Sequence, residues 1–119
     1  MNFGEFINQK RVAQKITIRD MATRLGLSPA YLTDIEHDRR NPPEKEKLEK
    51  LAAILDLSTE ERNEMMNLAG RKRGNIAPDL TDYVVENDYV SAALRTARDL
   101  GAGEKEWQEM LEELKRRKG

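Results

Sequence analysis

The sequence predicts an all-α protein: a five-helix domain followed by a helical C-terminal extension. Apolar residues recur at intervals of three and four along most of the 119 residues, which places them on one face of a helix. Small polar residues precede several of these runs and glycines follow them, the positions where helices start and stop. Strict apolar–polar alternation never persists between turn signals, so no strand is expected.

The elements follow in order. "GEFINQKRVAQK" reads as a first helix with Phe3, Phe6 and Ile7 at one-face spacing. Thr17, three residues before Asp20, forms a capping-box pattern that opens "IRDMATRL", with Ile18, Met21, Ala22 and Leu25 inward. Gly26 closes that helix in a left-handed turn. Ser28 as N-cap and Pro29 at the first helical position start a third helix, with Leu32 and Ile35 inward and Tyr31 partly covered. "PPEKEKLEKLAAIL" supplies a fourth, with Leu48, Leu51, Ala52 and Leu55 as its stripe. Ser58 and Glu61 cap a fifth, which Gly70 is expected to end.

"GRKRGNIAPD" breaks the rhythm with two glycines, a proline and the basic triplet Arg71, Lys72 and Arg73, and reads as a linker. The domain plan is therefore residues 1–70, a linker at 71–79 and an extension at 80–119. In the extension, Leu80, Tyr83 and Val84 mark a short helix, and Val90, Ala93, Leu94, Ala97 and Leu100 a longer one. Trp107, Met110, Leu111 and Leu114 form the apolar face of a last helix, assigned to a dimer or partner contact.

Composition narrows the chemistry. A net charge of −1 provides no global attraction to nucleic acid or membrane, so any anion binding must come from a local patch. With no cysteine, disulfides, thiolate zinc sites and cysteine nucleophiles are excluded, which fits a reducing cytoplasm. No run approaches a membrane span. His37 is the only histidine and has no metal-ligand companion, so no metal and no cofactor are expected. Glu60 with Glu61 and Glu112 with Glu113 read as solvated faces rather than an acid/base pair, and no enzyme is expected.

The informative unit runs from Thr17 to Pro42. Two short helices joined by a glycine turn, with a small Ala22 where they cross steeply, have the requirements of a helix-turn-helix. Counted from Ile18, Ala22 is fifth, Gly26 ninth, Leu32 fifteenth and Ile35 eighteenth. "TIRDMATRLGLSPAYLTDIEHDRRNP" resembles the Xre/Cro family of phage-repressor-like helix-turn-helix regulators over roughly residues 3 to 70. The resemblance implies a repressor-like DNA-binding domain whose third helix enters the major groove, and dimers on operators. Residues 75 to 118 resemble the C-terminal extension of repressor-like proteins from mobile elements. The family often pairs an arginine with a glutamate at the positions of Arg11 and Glu36. It usually has glycine where Asp38 stands and often near Lys15, and it prefers leucine at Lys10.

With Leu32 and Ile35 inward, Ser28, Pro29, Ala30, Thr33, Asp34 and His37 face out as candidates for base readout. Ala30 and Thr33 suit thymine methyl groups, and Asp34 suits a cytosine amino group. No Arg, Asn or Gln lies on this helix face, so direct readout is expected to be modest. Thr17, Arg19, Tyr31, Arg39, Arg40 and Asn41 are the phosphate candidates, with Arg40 expected to weaken all sites alike when replaced. The expected function is a sequence-specific regulator of double-stranded DNA, a repressor binding an inverted repeat as a homodimer. The alternative is an antitoxin or adaptor whose C-terminal helices bind a protein partner.

Overall fold

A computed structural model describes all residues, 1–119. The chain folds into eight helices: α1 (Phe3–Ala13), α2 (Ile18–Leu25), α3 (Pro29–Glu36), α4 (Lys45–Ile54), α5 (Thr59–Arg73), α6 (Thr81–Glu86), α7 (Asp88–Asp99) and α8 (Glu104–Lys118). There is no strand. None of the helices is long and apolar enough to cross a membrane. The chain divides into two compact units, Met1–Thr81 and Asp82–Gly119.

Local sequence sets the helix starts of the first unit. Asn2 opens α1 with a reciprocal capping box: its side chain accepts from the Glu5 N–H while the Glu5 carboxylate accepts from the Asn2 N–H. Thr17 accepts from the Asp20 N–H, but no reciprocal bond forms, so the cap is half of the expected box. Ser28 accepts from the Tyr31 N–H ahead of Pro29, and Ser58 and Glu61 make the full box on α5. Gly26 closes α2 with φ of 70°, a left-handed conformation that glycine takes at little cost.

These helices enclose one core. Phe3, Phe6, Ile7, Met21, Ala22, Leu25, Leu32, Ile35, Leu48, Leu51, Leu55, Met65 and Met66 are buried in it. Burial of each larger side chain contributes about 1.5–3 kcal/mol. Two glycines serve contact rather than turning. A Cβ on Gly4 would stand 2.4 Å from the Glu36 carbonyl oxygen and 2.6 Å from that of Ile35, so α1 lies with its backbone against the last turn of α3.

Gly70 is the second of these, and it corrects the linker expectation. It is buried inside α5, where a Cβ would fall 2.4 Å from the Ile76 carbonyl oxygen. The helix continues through Arg71, Lys72 and Arg73 to a left-handed cap at Gly74. The glycine that resembled a stop signal instead lets residues 76 and 77 fold back onto the helix. Ala77 is buried as part of the same core. Lys72 and Arg73 pair with groups of the same unit: Lys72 Nζ lies 2.9 Å from Asp38 Oδ1, and Arg73 Nη2 donates to the Pro42 carbonyl at 2.7 Å.

The second unit is built from α7, α8 and most of α6. None of its helices has a fully buried residue. Tyr89, Leu94, Leu100, Trp107, Met110, Leu111 and Leu114 are all exposed. A groove of about 530 Å³ runs between α7 and α8, lined by Ala93, Ala97, Leu100, Ala102 and Met110 with Glu106 at its side. In α8, acids occupy the first turn and Lys115, Arg116, Arg117 and Lys118 the last, a distribution that favours the helix macrodipole.

Candidate nucleic-acid interface

The geometry of α3 is set from behind. Glu36, at its last turn, is buried, with 3% of its side chain exposed against 12% for Arg11. Arg11 Nε donates to Glu36 Oε2 at 2.8 Å and Nη2 to Oε1 at 3.1 Å. Nη1 of the same arginine donates to the Ile16 carbonyl at 2.9 Å. Asn8 Nδ2 adds a further bond to Glu36 Oε1 at 2.9 Å. One carboxylate thus joins α3 to two successive turns of α1, and the arginine carries the link to the loop before α2. Such a pair orients more than it stabilises, and removing one partner would cost about 3–5 kcal/mol by stranding the other. Asn8 escaped sequence reasoning; its signal was a polar residue three positions before Arg11, on the same helix face.

On the outer side, Ser28, Pro29, Ala30 and His37 are exposed, and Thr33 and Asp34 are half-buried. All six base-readout candidates therefore lie together on or beside α3. The Ser28 hydroxyl is occupied as the helix cap. The His37 ring places Nδ1 2.9 Å from the Thr33 carbonyl, an acceptor, so Nδ1 donates and Nε2 is the nitrogen left for another partner.

Of the phosphate candidates, Tyr31 is half-buried on α3 and the other five separate into two groups. Thr17 and Arg19 are exposed at the start of α2, with Thr17 capping that helix. Arg39, Arg40 and Asn41 are exposed in the turn after α3. That turn is possible because Asp38 takes a left-handed φ of 63°, a conformation aspartate tolerates better than most residues. Lys15 does the same at 59°.

The arginines of this turn do not simply project from it. Arg39 Nη1 reaches Asp34 Oδ1 at 3.3 Å, and Arg40 Nε lies 3.6 Å from Asp34 Oδ2. The Arg40 guanidinium also sits over the Tyr31 ring, 4.8 Å from its centroid. The α3 surface therefore does present an arginine, contrary to the expectation drawn from helix positions alone. Asp34, expected to be a free acceptor, is shared between two cations. Arg40 follows α3 in sequence, beyond the reach of a helical-face argument, and only the turn brings it back.

Trp107, Met110, Leu111 and Leu114 are exposed on α8. Met110 lines the groove beside α7, and with Leu114 it also lines a second, shallow groove along α8 that Glu106, Glu109, Glu113 and Arg117 border. No group of three or more His, Cys, Asp or Glu side chains is arranged to hold a metal ion.

Residues 7–62 match the helix-turn-helix family. Over 58 residues the chain is 34% identical to the uncharacterized HTH-type transcriptional regulator RghRB of Bacillus subtilis (strain 168), covering 49% of this chain and 42% of that protein. Over 55 residues it is 33% identical to the HTH-type transcriptional regulator SinR of the same organism, covering 46% and 50% respectively. The chain thus spans half or less of the length of these relatives. Among solved structures, a SinR protein/SinI protein complex is similar at 23% identity with a TM-score of 0.49, over 98% of this chain and 97% of that one.

Proposed function

We propose, from the match of residues 7–62 to the helix-turn-helix family, that the protein is a sequence-specific double-stranded DNA-binding transcriptional regulator of the Xre type. The observation that carries the reading is the outer face of α3. Pro29, Ala30 and His37 are uncovered, and Thr33 is partly so, on a helix braced from behind by the Arg11–Glu36 pair. A helix held rigidly with small and polar side chains outward suits a major groove, whose floor is a pattern of donors, acceptors and methyl groups. Thr17, Arg19, Arg39 and Asn41 flank it as phosphate contacts, which set register and carry little sequence information.

The reading assigns binding, not catalysis, to the chain, and places it with the chromosome in the cytoplasm. It is a repressor that acts as a homodimer on an inverted repeat, with two copies of α3 about one turn of duplex apart. Binding to a random-duplex pool, measured against salt, tests it. Affinity is expected to fall steeply and linearly in log–log form as salt rises. Absence of binding at low salt, or binding indifferent to salt, would refute the proposal.

A second reading rests on the exposed apolar side chains of α7 and α8. In it the second unit binds a different protein, as in an antitoxin or adaptor, and DNA binding serves autoregulation. A chain that stays monomeric at every concentration while still binding DNA half-sites would favour this reading over the homodimer.

A further inference from the structure

We infer that Arg40 reads a guanine edge in the major groove, aimed by Asp34 and Tyr31 as positioning residues. The inference rests on the DNA-binding reading above and departs from the phosphate role expected of Arg40 from sequence.

Two contacts restrain the Arg40 guanidinium. Its Nε side is turned toward Asp34 Oδ2 at 3.6 Å, an ion-pair distance rather than a hydrogen bond. Its Cζ lies over the Tyr31 ring, 4.8 Å from the centroid. A guanidinium engaged at Nε and lying over a ring leaves its two terminal nitrogens as a pair for another partner. That pair forms the planar fork that matches guanine O6 and N7. Restraint matters for such a contact, because a fork already oriented loses less freedom when it binds.

The same restraint suits a phosphate poorly. A phosphate contact depends on charge and tolerates loose geometry. Asp34 would place a negative charge beside the same phosphate and offset the gain. A base edge is a set of neutral dipoles, and beside it a carboxylate that orients an arginine is no burden. Arg39 illustrates the contrast. It also reaches Asp34, at 3.3 Å, but has no aromatic platform, and its side chain is 65% exposed against 53% for Arg40. It remains a candidate for the backbone.

The experiment selects bound duplexes from a random pool with the full chain, then measures affinities for the selected site and for versions with each guanine replaced. The proteins compared are wild type, Arg40→Ala, Arg40→Lys, Asp34→Ala and the Asp34→Ala/Arg40→Ala double variant, each checked for helical content. Wild type is expected to require one guanine per half-site, its replacement weakening binding about 10- to 100-fold. Arg40→Ala should bind the original and replaced sites equally. Arg40→Lys should keep the charge yet recover little of that preference. Asp34→Ala should relax preference at the same base, and adding it to Arg40→Ala should change nothing further there.

Uniform weakening by Arg40→Ala with base preferences intact, restored by lysine, would overturn the inference and leave a phosphate clamp. A preference lost with Asp34→Ala at a different base, and lost equally without Arg40, would overturn the positioning role. Wild type binding no duplex would overturn the DNA-binding reading itself, and this inference with it.

Discussion

Lys15, Asp38 and Asp56 hold positive φ angles of 59°, 63° and 50°, a region where a side chain costs about 1–2 kcal/mol relative to glycine. Glycine returns part of that gain as extra freedom in the unfolded chain, about 0.4–1 kcal/mol. Lys15 is exposed and its side chain makes no ion pair. Lys15→Gly should therefore stabilise the first unit by about 0.5–1 kcal/mol, seen as a raised urea midpoint with an unchanged slope; a lowered midpoint would contradict the strain argument. Asp38 offers less, because glycine there would also forfeit the contact with Lys72 at 2.9 Å. Much of the candidate site was legible at this scale. The outward residues of α3 follow from helical phase, and the left-handed turn at Asp38 follows from the resemblance, in which glycine usually stands there. The grouping of Asp34, Arg39, Arg40 and Tyr31 was not legible, because it depends on a turn folding long side chains back over the helix. No periodicity encodes that.

Helix ends were legible where the signal is local and misleading where it is not. Ser28 with Pro29 and Ser58 with Glu61 specify their caps within four residues, and both appear as expected. Gly70 lies in a run that resembles a helix stop, yet its role is a close approach of backbone from residues 76 and 77. The tie between α1 and α5 was equally hidden, since Lys10 and Glu61 are far apart in sequence. Lys10 Nζ reaches Glu61 Oε2 at 2.5 Å and stands 5.4 Å from the Phe6 centroid. The Lys10 ammonium, and after it the Ser58 N–H and hydroxyl, lower the Glu61 carboxyl from 4.5 to about 2. Because the folded value is the lower one, the stabilisation is complete above the unfolded value near 4.5. It is lost as pH falls toward 2. Wild type and Lys10→Met should thus differ in urea midpoint at about pH 6 and converge near about pH 2. A gap that stays constant would show that Lys10 acts through packing alone.

At the scale of the whole molecule, the two units differ in what they bury. The first encloses a core, whereas the second leaves Leu111 and Leu114 exposed at 50% and 60%. Helices with so little interior of their own gain by covering that surface with another chain. The proposed homodimer predicts a solution mass of twice the 13.7 kDa chain. The double variant Leu111→Lys/Leu114→Lys should halve that mass in light scattering and weaken binding to an inverted repeat, while binding to a single half-site stays as it was. An unchanged mass would remove this surface from the assembly.

The Arg11–Glu36 brace has a consequence for how such experiments are interpreted. Mobile ions weaken interactions between charges that water can reach and scarcely affect a pair sealed off from it. The tilt of α3 is therefore insulated from the ionic atmosphere, whereas the proposed grip on a polyanion is not. Adding electrolyte should loosen the hold and leave the shape of the hand unchanged.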